Sequence, residues 1–200
     1  MLLRTSLTSP FGRTIRIASL RLGMADRIQV VSADTTDPTD EIRKDNPLGK
    51  VPLLILDNGQ RIYDSRVILE YLDHVAGGGV LIPRDWTGKL ETLVFQSLGD
   101  GIMDACVLVS YEERYRPEEI RSAKWLDHQI GKIRRGLDHL IHTHPDPARL
   151  DVATISIACM LGYIDWRKQI DWRSEFPGLI PWLEAFDAAT PEFAATARQA

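Results

Sequence analysis

Cysteine is nearly absent from this chain. Two occur in 200 residues, Cys106 and Cys159, and each falls inside an apolar pattern. With no Cys-x-x-Cys pair and no zinc-ligand spacing, a disulfide framework and a structural zinc site are excluded. Thiols packed as small hydrophobes fit better. An excess of positive charge is missing too: 24 Lys and Arg stand against 28 Asp and Glu, and ten of each sign fall in the first 76 residues. Neither part offers a basic stripe, so nucleic acid and an anionic membrane are not expected partners. The most apolar stretch, 152–164, includes Thr154 and Ser156 and falls short of the ~18 residues a membrane span needs. The run from Met1 to Ser6 is too short for a signal peptide, so a cytoplasmic location is the expectation. No Gly-x-Gly-x-x-Gly and no phosphate loop ending in Gly-Lys-Ser/Thr occurs, which leaves nucleotide-dependent chemistry without support.

What is present is an ordinary globular composition, 44% hydrophobic and 26% charged. At this length folding buries roughly 70% of the surface of the unfolded chain, enough for one or two cores. The first 76 residues read β-α-β-α-β-β-α. A short strand runs from Leu2 to Leu7. Ser9-Pro10 then starts a helix with a cap and a Pro at its first position, carrying Ile15, Ala18, Ser19 and Leu22 to a stop at Gly23. Arg27 to Ser32 is β-rich, and a polar helical turn runs from Asp37-Pro38 to Lys44. Leu53–Leu56 and Arg61–Tyr63 flank Asn58-Gly59, a strong hairpin signal. Ser65 caps a helix whose face is Val67, Ile68, Tyr71, Leu72 and Val75. Gly77-Gly78-Gly79 breaks the pattern, and Val80 to Pro83 is an extended linker.

From Trp86 onward the period is helical. One long stripe runs from Leu90 to Val109. A second helix opens with Pro117-Glu118-Glu119 and carries Ala123, Leu126, Ile130, Ile133, Leu137 and Leu140. A third covers about 152–167 and a fourth about 178–189, opened by Phe176-Pro177-Gly178. The expected organisation is an α/β domain (1–76), a linker (77–85) and an all-helical domain (86–200).

Three stretches of the first domain line up in order: Ser9-Pro10-Phe11 at a strand-to-helix turn, Asn46-Pro47-Leu48-Gly49-Lys50-Val51-Pro52, and Asp64-Ser65-Arg66. With the β-α-β-α-β-β-α order they resemble the thioredoxin-like domain of the glutathione S-transferases. Phe176-Pro177-Gly178-Leu179, Trp182-Leu183 and Pro191-Glu192-Phe193 look like that family's closing helix signature. The resemblance implies a thioredoxin-like domain with a mixed four-stranded sheet, followed by an α-helical bundle.

It also implies a site. A cis peptide before Pro52 frees the backbone of Val51 to pair with the cysteinyl unit of glutathione, as an added strand would. Lys50 meets the glycyl carboxylate. Ser65, at a helix N-terminus suited to an anion, takes the γ-glutamyl carboxylate, and Asp64 takes the α-ammonium. Ser9 donates to the sulfur and favours the thiolate. Thr8 and Ser6 are neighbouring hydroxyls, but the Ser-Pro-Phe spelling selects Ser9. Ser in place of the Cys of some classes disfavours mixed-disulfide chemistry. Phe11, Tyr111 and Tyr115 are candidates for an electrophile pocket, although ordinary packing explains any one of them better.

The implied activity is conjugation of reduced glutathione, as cosubstrate, to a small hydrophobic electrophile in detoxification by a homodimer. The alternatives are a non-catalytic binding or adaptor protein on the same fold and a glutathione-dependent lyase or isomerase. One departure stands in the second domain. Ala148 holds the place where the family has a capping Ser or Thr, so either Asp151 caps the next helix or that helix starts elsewhere. His139, His142 and His144 with Asp146 suggest a helix C-terminus more than a metal site, and no metal is expected. Glu112-Glu113 and Glu118-Glu119 read as solvated helix faces.

Overall fold

In the computed structural model the chain is described from residue 1 to residue 197. Strand β1 (Leu2–Thr5) turns Leu3 and Thr5 inward. Helix α1 (Pro10–Arg21) follows, with Ser9 as its cap and Gly23 at φ +65° just past its end. That glycine conformation is one other residues rarely adopt. Gly12 is fixed by a close approach: a Cβ there would lie 1.8 Å from Thr5 Oγ1, so α1 can cross β1 only where the side chain is hydrogen.

Strand β2 (Gln29–Ser32) pairs parallel with β1. The polar turn expected over 37–44 is a run of turns, and the regular helix, α2 (Ile42–Asp45), is a single turn at its end. Asp34, Asp37 and Asp40 each bond backbone N–H groups nearby. These local bonds compete with the helical ladder. Strands β3 (Leu53–Ile55) and β4 (Arg61–Ile62) form the hairpin, closed at Gly59 with φ +83°. Among the described residues the sheet order is β2-β1-β3-β4, mixed and four-stranded. Asp45 clamps it from outside, accepting from Arg4 Nε of β1 at 2.7 Å and Arg61 Nη2 of β4 at 2.7 Å.

Helix α3 (Ser65–Val75) is followed by three glycines at φ between +74° and +104°. The buried Asp73 carboxylate holds this turn by accepting from the N–H groups of Gly79, Val80 and Leu81 at 2.7–3.0 Å. Residues Met1–Thr92, joined by the C-terminal stretch from Thr190, form one compact unit, and Leu93–Ala189 form another.

The second unit is built around α6 (Val152–Arg167), whose residues are buried on every side, the signature of a central helix. Asp151 is its cap. The carboxylate accepts from Ala153 and Thr154 N–H, and Thr154 Oγ1 accepts from Asp151 N–H, a full capping box. Helix α4 (Trp86–Tyr115) approaches α6 at Gly99, where a Cβ would stand 2.6 Å from Ser156 Oγ. Among the described residues α4, not the 152–164 stretch, is long and apolar enough by composition to cross a membrane; half of that window is buried within the protein.

Helix α5 (Ala123–Thr143) begins later than Pro117. Residues Glu118–Ile120 make a separate 3-10 turn, because Ser122 supplies the cap by accepting from Trp125 N–H. Helices α7 (Trp172–Glu175), α8 (Ile180–Ala189) and α9 (Pro191–Ala195) complete the described elements. The α7 turn is too short to show a helical period. Both cysteines are buried, and burial pushes the Cys106 thiol up to about 12.

Candidate glutathione site

Strand register gathers the predicted residues. Arg4 pairs with Leu53 and Leu54 with Ile62, so β1 and β4 both end where β3 begins. Loop 6–9 therefore shares one end of the sheet with loop 46–52 and with Asp64-Ser65. Two helices, α1 and α3, start at this same end, and neither has an acidic residue in its first turn. Their unpaired N–H groups and partial positive charge make that end receptive to anions.

Ser9 is half-buried. Its Oγ accepts the Gly12 N–H at 3.1 Å, and its C=O accepts Arg13 N–H at 3.1 Å. The hydroxyl proton is left for another acceptor. Ser6 and Thr8 differ. Their hydroxyls bond each other at 2.7 Å, and Ser6 Oγ also accepts Thr8 N–H at 3.2 Å.

The Val51-Pro52 peptide is cis, and so is Tyr63-Asp64. The Val51 N–H and C=O make no hydrogen bond among the described residues. Buried Asn46 shapes the loop ahead of them. Its amide donates to Lys50 C=O at 2.8 Å and its side-chain carbonyl accepts Leu48 N–H at 3.0 Å. Gly49 completes the turn at φ +58°. The sequence signal for this role of Asn46 is an Asn heading a Pro-Leu-Gly turn. The Lys50 side chain is exposed, with no ion-pair partner among the described residues.

Asp64, not Ser65, caps α3. Its Oδ1 accepts Arg66 N–H at 3.1 Å and its Oδ2 accepts Arg66 Nη2 at 3.3 Å. Ser65 is the first helical residue, and its hydroxyl makes no hydrogen bond among the described residues although the residue is buried. The physical reason is position: Asp64 has the extended backbone of a cap and its carboxylate meets the N–H two residues on, whereas Ser65 is already in the first turn.

Phe11 sits half-buried in the first turn of α1. Tyr111 and Tyr115 meet edge to face, ring centroids 5.4 Å apart, on the wall of a 760 Å³ groove in the helical unit. Burial raises the Tyr111 phenol above its ordinary pKa, so it is a neutral donor at physiological pH. Glu112 in the same groove is buried at 2%, not solvated. It pairs with Arg116 and accepts Ser122 N–H at 2.8 Å, tying the end of α4 to the start of α5. An acid four residues before an Arg was the available signal.

The thioredoxin-like sheet thus carries its cis proline and two helix N-termini at one end. Residues 8–75 match the family described as glutathione S-transferase, N-terminal domain. The uncharacterized GST-like protein YibF of Escherichia coli is 34% identical over 184 residues, 90% of each chain. This chain belongs to the glutathione S-transferase family. A family member from Pseudomonas fluorescens Pf-5, crystallised with bound glutathione, is 39% identical and superposes with a TM-score of 0.92 over 100% of this chain and 99% of its own. Another structure of that protein, with bound S-(propanoic acid)-glutathione, has a TM-score of 0.89 at 39% identity over all of both chains. A glutathione S-transferase from Methylobacillus flagellatus with glutathione bound is 34% identical with a TM-score of 0.88, covering 99% of each chain.

Proposed function

We propose that this chain is a glutathione transferase that joins reduced glutathione to a small apolar electrophile. The cysteinyl unit pairs with the free Val51 backbone, and Lys50 meets the glycyl carboxylate. The γ-glutamyl carboxylate takes the Ser65 hydroxyl and the α3 N-terminus, while Asp64, shared with Arg66, takes the α-ammonium. The sulfur lies at Ser9, which donates its O–H to the thiolate. The thiol proton leaves to solvent, so no general base is required. A C–S bond then forms, and the electron pair departs with a leaving group or is quenched by a proton from solvent. Phe11, Tyr111 and Tyr115 contact the electrophile in this reading. The relative that holds S-(propanoic acid)-glutathione supports a thioether product. Residues 1–76 serve glutathione, 86–200 serve the electrophile and a homodimer contact, and the protein works in the cytoplasm.

One observation carries the reading. Ser9 Oγ accepts the Gly12 N–H, and its proton is uncommitted at a helix N-terminus that shares one end of the sheet with the unpaired Val51 backbone. Ser9→Ala is expected to lower kcat/KM by roughly 10–100-fold, the loss of one hydrogen bond to a charged atom, with the Kd for glutathione unchanged. Unchanged conjugation of several electrophiles by Ser9→Ala would sink the catalytic role. Saturable glutathione binding by a wild-type protein that turns over none of them would instead make it a non-catalytic binding protein.

A further inference from the structure

We propose that Arg13, gripping the C-terminal segment, is a positioning residue for Ser9; this rests on the thiolate role given to Ser9 above. Arg13 lies in the first coil of α1 and donates its N–H to the Ser9 C=O at 3.1 Å. Gly12, one residue earlier, holds the Ser9 hydroxyl. The backbone of this turn therefore sets where the Ser9 proton points.

The Arg13 side chain leaves α1 for the end of the chain. Nη2 donates to Phe193 C=O at 2.8 Å, Nε donates to Thr196 Oγ1 at 3.3 Å, and the guanidinium carbon lies 4.0 Å over the Phe193 ring. Both partners are buried, Phe193 at 9% and Thr196 at 2% exposure. Thr196 is itself fixed, its hydroxyl donating to Glu192 C=O at 2.9 Å. The planar fork and the ring stack use features of guanidinium that an ammonium lacks. α9 and its flanks thus anchor the turn that carries Ser9.

Charge argues the same way. A cation in the first turn opposes the helix dipole, and no carboxylate pairs with Arg13 among the described residues. The acid on α9, Glu192, keeps one buried carboxyl oxygen without a partner. The Arg13 cation is therefore satisfied by carbonyl, hydroxyl and ring alone.

The test follows the ultraviolet absorbance of the thiolate in the glutathione complex of the full chain as pH rises. Wild type, Ser9→Ala, Arg13→Lys, Phe193→Leu and the Ser9→Ala/Arg13→Lys double variant are compared, with thermal denaturation to establish that each is folded. Arg13→Lys and Phe193→Leu are expected to raise the thiol midpoint by roughly half a unit, with Kd for glutathione within about threefold of wild type. The double variant should match Ser9→Ala, because Arg13 acts through Ser9. If Arg13→Lys fails to fold, Phe193→Leu carries the comparison. Unmoved midpoints in the folded Arg13 and Phe193 variants, beside a raised one in Ser9→Ala, would overturn the proposal and leave the Ser9 reading intact. Full additivity in the double variant would overturn it too. An unmoved midpoint in Ser9→Ala would instead bring down the Ser9 reading.

Discussion

Ser9 and its two hydroxyl neighbours show how much a single proton decides. Ser6 and Thr8 bond each other through one hydroxyl proton, whereas Ser9 stands at the cap of α1, accepts the Gly12 N–H and keeps its own proton. Ser6→Ala and Thr8→Ala are accordingly expected to leave glutathione conjugation within about threefold of wild type, against the larger loss at Ser9. The two cysteines give the opposite lesson. Burial holds Cys106 protonated, with a pKa of about 12, and Cys159 is buried as well. An aromatic disulfide reagent at pH 8 should titrate neither thiol in the native protein and both after denaturation. Rapid native reaction of either would contradict the packing described. At this scale neighbouring prolines and helix starts mark Ser9, Val51 and Ser65 in the sequence as candidates, although the cap of α3 is Asp64. Asn46 and Glu112 carry only local signals, an Asn heading a Pro-Leu-Gly turn and an acid four residues before an Arg, and the Glu-Glu pair looks exposed although Glu112 is buried. Arg13 carries no signal, because its partner Phe193 lies 180 residues on.

Elements were legible where a period or a breaker marked them. The α1 cap, the Asn-Gly hairpin, the three-glycine break and the α6 stripe all appear where their residues place them. The α5 start was misplaced because Pro117-Glu118-Glu119 mimics a helix opening, while the capping bond belongs to Ser122. Asp151 resolves the missing family cap by making the box with Thr154. Asp151→Ala is therefore expected to cost ~1 kcal/mol and lower Tm by about 2–4 °C. Gly12→Ala drives a methyl into Thr5 and should cost about 1–3 kcal/mol. Differential scanning calorimetry measures both, and an unchanged Tm in either would contradict the element packing.

Across the molecule, acid stability reports the sheet clamp. Burial pushes the Asp45 carboxyl up, but hydrogen bonds from Arg61 and Arg4 and their charges pull it further down, so the net pKa is lowered. A lowered folded pKa stabilises the protein above the ordinary carboxylate range and is lost as pH falls through the folded value. Asp45→Asn should reduce Tm at neutral pH and flatten the Tm decline below about pH 4. A parallel decline in both proteins would contradict the clamp.

Glutathione is proposed to sit at the end of the sheet shared by Ser9, Val51 and Ser65, and isothermal titration of the purified chain with reduced glutathione decides it. Saturable binding at one site per chain is expected, with a gain of about 2.7 kcal/mol in stability at a hundredfold excess over Kd. No heat and no thermal shift at millimolar glutathione would contradict it.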